Sequence, residues 1–504
     1  MPTRTAVDVR EPGDTGLGKG HTMPVSMANA VTVGPIVGHT TDTTVRLWGR
    51  GDAQRTVGYP RRCHGIAQIL EAGSRTVLQA RYFKLLPEDD FTGSVDFSGL
   101  EPGRAYDYRM GFFHADAEPF QLLPPQGVDL SQASTGSFRT ARRPGPGPLS
   151  FVFGSCRHPG TMTDSEGVDA QDDRGDRIFR TIQSQLDKGV RTDALLMLGD
   201  QVYGDVGRTD RIWRDYCANY RISFRRPGLR SLMSRVPTYM ILDDHEICDN
   251  WSADRMYDPK LSQDERVLNK TRYFGAMMAY RSYQVVHGPA LVREGQPERT
   301  NALQGYWYHF RTGPARFFMM DTRTERSYLS APPEIIGAAQ LEAFKQWLLE
   351  DREGLKFVGS PVPFFPDVKL SGSMEWERKD KWAGFLLQRQ KLLEFMRDEG
   401  VKRVVFLSGD VHVSFWSELR STSRPDFHIL SIVSSAFNAP IFVPPFGMFE
   451  TEGILDGQAD FVVTRSGGYT GKSNFTRVTW NEPELLVQVF DRKGEKTAEN
   501  RFTL

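Results

Sequence analysis

At 504 residues the chain exceeds what one ordinary core organises, so two domains are the expectation. Its 39% hydrophobic and 25% charged residues are typical of a soluble globular protein. Lys plus Arg (63) equals Asp plus Glu (63), a formal net charge of zero, so no specific nucleic-acid recognition is expected from global charge. No run of about 18 apolar residues occurs, so no membrane span is expected. The first 30 residues lack the continuous apolar region of a secretory signal, which predicts a cytoplasmic location. Cys63, Cys156, Cys217 and Cys248 show no paired spacing and are too sparse for a disulfide framework.

In chain order, residues 1–27 read as a flexible arm, and residues 28–141 as a small β-sandwich of short alternating runs. In TTVRLWGRG, Val45 and Leu47 alternate with Thr44, Arg46 and Trp48, the period of a half-buried strand. Leu100, Pro102, Gly103 and Tyr106 resemble the tyrosine corner of fibronectin-like sandwiches, whose phenol hydrogen-bonds to upstream backbone. The Pro/Gly-dense segment 142–149 predicts a linker. From 150 to 504 strands alternate with amphipathic helices (RGDRIFRTIQSQLDKG, AAQLEAFKQWLLEDREG, GFLLQRQKLLEFMRDEG) and the tail is mostly strands. That order predicts a layered α/β domain with mixed sheets.

Four apolar strands stop abruptly at chemically active residues: FVFGSCR, LMLGDQVY, MILDDHEICDN and VVFLSGDVH. Ligands of open α/β sheets gather at the carboxyl ends of strands. The four endings would therefore bring Cys156, Asp200, Tyr203, Asp244, His245, Asn250, Asp410 and His412 to one crevice, the pattern of a metal or catalytic site. Thiolate, phenolate and imidazole suit a transition metal, ferric iron in particular. Carboxylate and amide oxygens suit a harder ion such as Ca²⁺, Mg²⁺ or Mn²⁺. Two such ions clamp phosphoryl oxygens and acidify water, which predicts hydrolysis of a phosphate ester by in-line attack of a metal-activated hydroxide.

GDQVY is similar to the metal-binding GDxxY element of purple acid phosphatases, within the calcineurin-like metallophosphoesterase superfamily. DDHE and GDVH depart from that superfamily's usual GNH and GHxH. With FGSCR, DDHEICDNW, FFMMDTRTER, GSPVPF and KWAGF, they resemble instead the alkaline phosphatase D (PhoD-like) family over roughly residues 145–440. The resemblance implies a layered α/β/β/α metallophosphoesterase sandwich behind a fibronectin-like β-sandwich. It also implies that Asp200 bridges two ions, with Tyr203, Cys156 and His412 on Fe(III). Asp410 and Asn250 would then hold a second divalent ion, calcium in the first instance with Mg²⁺, Mn²⁺ or Zn²⁺ as alternatives. Asp244 is a second-ion ligand or a partner of one, and the choice between Asp244 and Asn250 stays open. His245 matches the histidine that meets the substrate phosphate or leaving group. Family members are often exported, which pulls against the cytoplasmic expectation.

Arg157, beside Cys156, is a candidate phosphate clamp, since guanidinium matches phosphate oxygens; a surface arginine after a strand is the alternative. Asp321 ends another strand and is placed to orient Arg323, whereas His309, His428, Cys217 and Cys248 read as structural. The Pro/Phe-rich segment 434–453 is either core or the wall of an apolar cleft. As a wall it would favour phosphodiesters with bulky or lipid-like leaving groups, including phospholipase D-type cleavage. The expected substrate is accordingly a small-molecule or lipid phosphate ester, mono- or diester. The rival reading is a non-catalytic binding protein that works through the β-sandwich. Oligomeric state is left open.

Overall fold

The computed structural model describes residues 27–53, 61–117, 122, 124–158, 175–205, 212–291, 305–369, 375–438, 443–455 and 459–504. The expected N-terminal arm falls, but for Met27, outside the described residues. Two small sheets come first. Val33–Thr40, Thr44–Arg50 and Thr92–Ser98 form one, and Ala105–Ala115 at the centre of the other pairs with Arg62–Glu71 and Ser134–Arg139. Val45, Leu47, Ala67, Ile69, Tyr108 and Met110 interleave between them. The backbone N–H of Glu101 donates to the Tyr106 phenol at 2.8 Å, the bond of a tyrosine corner.

Trp48 departs from the alternation read in its strand. Its face is not solvated: the indole is fully buried, 5.6 Å from the Tyr283 ring, and Nε1 donates to the Ser282 carbonyl at 3.0 Å. The outer face of the small sheet is covered by the helix Gln263–Tyr283 from the second half of the chain. Two histidines sit in the same seam. His39 contacts Tyr239 and Phe310, and His287 packs edge-on to Trp48. Burial, reinforced by Arg46, pushes each imidazole down to about 4.

The seam should therefore be acid-labile. An unfolded histidine takes its proton near pH 6.5 while the folded one resists until about 4, so stability is full above 6.5 and lost as pH falls toward 4. For the fully buried His287 the span corresponds to about 3 kcal/mol. His287→Asn should flatten the Tm-against-pH curve between pH 6.5 and 4. A variant curve parallel to that of the wild type would refute this.

The larger part holds two mixed sheets. In one, Leu149–Arg157, Ala194–Leu198 and Thr238–Ile241 run parallel at one edge, and Asn474–Asn481, Glu484–Asp491 and Lys496–Thr503 continue antiparallel. In the other, Ala315–Met319, Leu355–Gly359, Val404–Ser408 and His428–Val433 are parallel neighbours. Phe151, Phe153, Leu196, Phe317, Phe357 and Leu407 fill the space between the sheets. The opposite faces are covered by helices: Ile178, Tyr220 and Tyr280 against the first, Phe344, Trp347 and Leu392 against the second. Strands buried on both faces cannot alternate, which is why LMLGD reads as an unbroken apolar run. Among the described residues no helix is long and apolar enough to cross a membrane.

Candidate metal centre

Register brings the strand ends together. Met197 pairs with Gly154 and Leu198 with Ile241, so the loops at Ser155–Cys156, Gly199–Asp200 and Asp243–Asp244 leave the sheet side by side. Ser408 pairs with Val433 in the facing sheet, and Ser435 pairs with Ser155, which carries Asp410 and His412 to the same place. Glycine permits the crossing. A Cβ on Gly199, whose φ is +101°, would lie 2.3 Å from the Asp243 Cβ, and one on Gly409 would lie 2.1 Å from Ser155 Oγ.

Backbone strain concentrates here. Eight described non-glycine residues have positive φ, and Cys156, Asp200, Asn250, Asp410 and His412 are among them. Such conformations cost about 1–3 kcal/mol each and persist where the surroundings enforce them, typically at functional sites. Glu246 supplies part of the enforcement. Its buried carboxylate accepts the backbone N–H groups of Asp200 (3.0 Å), Gln201 (2.7 Å) and Asp243 (3.0 Å), and burial raises its pKa to about 7.

The cleft is lined by Asp200, Asp244, His245, Asp249, Asn250, Glu377, Lys381, Asp410 and His412, with Val368, Val411, Pro444 and Phe449 as an apolar wall. Ligand atoms of Asp200, Asp244 and His245 lie within 4.8 Å of one another, as do those of Asp243, Asp244 and Asp410. Tyr203 donates to Asp200 at 3.5 Å, and its ring lies 4.2 Å from the His245 ring and 4.7 Å from that of His158. Cys156 is fully buried, with Ser155 and Ser435 hydroxyls 3.1 Å from its sulfur. Asn250 donates its backbone N–H to Asp244, so the two acceptors that the sequence left as alternatives are neighbours in one loop.

Arg157 does not reach the cleft. Its guanidinium is instead buried behind the loop that carries Asp200. There it donates to the carbonyls of Gln201 (3.2 Å) and Ser223 (3.4 Å) and lies over the Phe179 ring; burial lowers its pKa to about 10. The phosphate-clamp expectation is corrected: Arg157 braces the Asp200 loop from behind.

Two other cations balance the carboxylates of the cleft. Arg323 is fully buried; Nε donates to Asp243 at 2.6 Å and Nη1 to Asp380 at 2.9 Å, while Nη2 lies 3.6 Å from Asp244 and 3.7 Å from Asp410. Lys381 Nζ is 2.5 Å from Asp410 and lines the cleft. Both lie in segments, FFMMDTRTER and KWAGF, that carry the family resemblance; the sequence reading gave Lys381 no role and Arg323 only that of a partner of Asp321. Asp321 binds the backbone N–H groups of Arg323 and Thr324, not the guanidinium.

The electrostatics suit added positive charge. Burial, with Asp244, Glu246 and Asp410 nearby, pushes the Asp200 carboxyl well above its usual range. Burial also opposes ionisation of Asp244, but Arg323 and His245 outweigh it and hold the group below the usual range. Asp244 Oδ1 is nonetheless buried without a hydrogen-bond partner. Burial and the nearby Asp200 raise the Cys156 and Tyr203 protons far up, so both side chains need a cation to ionise. An orphaned carboxylate oxygen beside a thiol, a phenol and an imidazole fits metal ions.

His245 is held by Asp205, whose oxygens lie 2.8 and 2.9 Å from Nδ1. Although burial disfavours the imidazolium, Asp244, Asp200 and Asp205 overcome it and lift the pKa to about 11. Asp205 lies just beyond GDQVY and went unread in the sequence.

The family model for PhoD-like phosphatases matches residues 174–447, more than half of the chain. Alkaline phosphatase D of Bacillus subtilis (strain 168) is 24% identical over 375 residues, 64% of this chain and 54% of that protein, so the chain spans about half the length of its curated relative. A solved structure of PhoD superposes with a TM-score of 0.65 at 18% identity, covering 95% of this chain and 90% of that one. At that identity the likeness is one of fold.

Proposed function

The chain belongs to the PhoD-like phosphatase family, and on that premise we propose that it is a metal-dependent hydrolase of phosphoric esters. The observation that carries this reading is the convergence of Asp200, Asp244, Asp410, His245 and His412 on one cleft, with Cys156 and Tyr203 against its floor. In the reading, Cys156, Tyr203 and His412 would hold ferric iron. Asp410 with Asn250 or Asp244 would hold a divalent ion, calcium first, and Asp200 would be shared between them. Such ions neutralise phosphoryl oxygens and acidify water. Residues 28–141 would form a fibronectin-like domain and 142–149 a linker. The helix, sheet, sheet, helix order of the rest supports the layered metallophosphoesterase sandwich.

The chain's own groups divide the remaining work. Lys381 presents a fixed ammonium to the cleft, where it would meet the phosphoryl charge. His245, oriented by Asp205, is the proton donor for the departing oxygen. Asp205→Asn should therefore lower kcat about 100-fold for an alkyl phosphate, which needs that proton, and far less for p-nitrophenyl phosphate. Equal losses on both esters would exclude the role.

The wall of Val368, Val411, Pro444 and Phe449 favours an ester with an apolar group, and so a phosphodiester or phospholipase D-type reading over a small hydrophilic monoester. Turnover of p-nitrophenyl phosphate, its bis-ester and phosphatidylcholine, measured beside metal content and the visible spectrum, tests both levels. A coloured, iron-containing protein most active on the esters with apolar groups is expected. A metal-free protein inactive on all three would return the reading to a binding protein.

A further inference from the structure

The surroundings of Cys156 are specific in a way that metal ligation alone does not require. Ser155 Oγ and Ser435 Oγ each lie 3.1 Å from the sulfur, and both serines are fully buried. Each hydroxyl oxygen already accepts a backbone N–H: that of Asp410 at 3.2 Å onto Ser155, and that of His412 at 3.1 Å onto Ser435. A backbone N–H can only donate, so it occupies a lone pair and leaves each hydroxyl its own proton to place. Among the described residues the Cys156 sulfur is the acceptor within reach of both serines. Two O–H donors converging on one sulfur match a thiolate, which accepts both, better than a thiol, which must direct a proton of its own.

We infer that Ser155 and Ser435 are positioning residues that clamp Cys156 as a doubly hydrogen-bonded metal thiolate, and that the same hydroxyls lock the Asp410–His412 turn onto it. The assignment rests on the proposed metal-binding reading and deepens it. Hydrogen bonds to a ligating sulfur withdraw electron density from the metal–sulfur bond, which raises the reduction potential of the bound ion and the energy of sulfur-to-metal charge transfer. Because each serine touches both the sulfur and the turn bearing two other candidate ligands, its loss acts on electronics and geometry together.

The full-length chain, stripped with chelator and reloaded with Co²⁺, provides the test through the sulfur-to-cobalt absorption band and the cobalt dissociation constant. Ser155→Ala and Ser435→Ala should each move the band to lower energy and weaken cobalt about 10- to 100-fold, and the double variant should shift it further. Ser435→Thr, which keeps the hydroxyl, should hold the band in place, and circular dichroism checks that each variant is folded. In the iron form the same alanine variants should have lower reduction potentials. A wild-type band that neither alanine variant moves overturns the clamp while leaving metal binding standing. Wild-type protein that binds cobalt with no sulfur band, as Cys156→Ser should, overturns the ligand role of Cys156 and the clamp with it.

Discussion

Asp200→Asn is expected to lower kcat/KM on any phosphate ester by at least about 10³-fold and to leave the fold intact. The amide is nearly isosteric with the carboxylate. Its oxygen can keep the bond from the His245 backbone N–H, which the carboxylate accepts at 3.3 Å. What is lost is negative charge at the point where Asp244, Glu246 and Asp410 already crowd one another. Without bound cations the charge is a burden, because burial and those neighbours resist ionisation. The chelated variant should therefore melt at or above the temperature of the chelated wild type. With metal the order should reverse, since the wild type gains stability from ions that the variant binds poorly. Elemental analysis, kcat/KM and paired melting curves give three independent readouts. Wild-type metal content together with wild-type turnover would remove Asp200 from the centre.

Parts of this site were legible in the sequence because period and punctuation carry physical meaning. An apolar run that stops abruptly at polar residues marks a strand buried on both faces that opens into a polar crevice; Asp200 and Asp410 were read from runs ending in Gly-Asp, and Cys156 and Asp244 from runs ending in Gly-Ser-Cys and Asp-Asp. Arg157 shows the limit of that reading: the left-handed backbone at Cys156 breaks the strand period, and the guanidinium beside it donates to the Gln201 and Ser223 carbonyls. The charge-balancing roles of Arg323 and Lys381 carried no local signal. A charged residue in a loop looks solvated until the carboxylates it neutralises are known, and those of Arg323 lie 80 positions upstream at Asp243 and 57 downstream at Asp380. Trp48 was misplaced for a related reason. Alternation identifies the two faces of a strand but not whether a distant helix covers the second.

The largest stability effect should come from Arg323. It is fully buried among Asp243, Asp380, Asp244 and Asp410, and it binds the first two directly. Asp380 has a second partner in Arg326, at 2.5 Å. Asp243 keeps no other cation among the described ion pairs, and its Oδ2 is buried without a hydrogen bond. Even with Arg323 in place, burial holds the Asp243 carboxyl well above its usual range. Arg323→Met fills similar volume but strands that carboxylate, and removing one partner of a buried pair costs about 3–5 kcal/mol. The cost must depend on pH. A carboxyl whose folded pKa is raised favours folding while it stays protonated and disfavours it as pH rises, so the deficit should be smaller at pH 5 than at pH 8. Urea unfolding of the chelated protein at both values measures this. Asp243→Asn added to Arg323→Met should recover most of the loss at pH 8 and little at pH 5, the coupling expected of groups in contact. A deficit equal at both pH values and untouched by the second substitution would mean that Arg323 packs the loop and does not balance its charge.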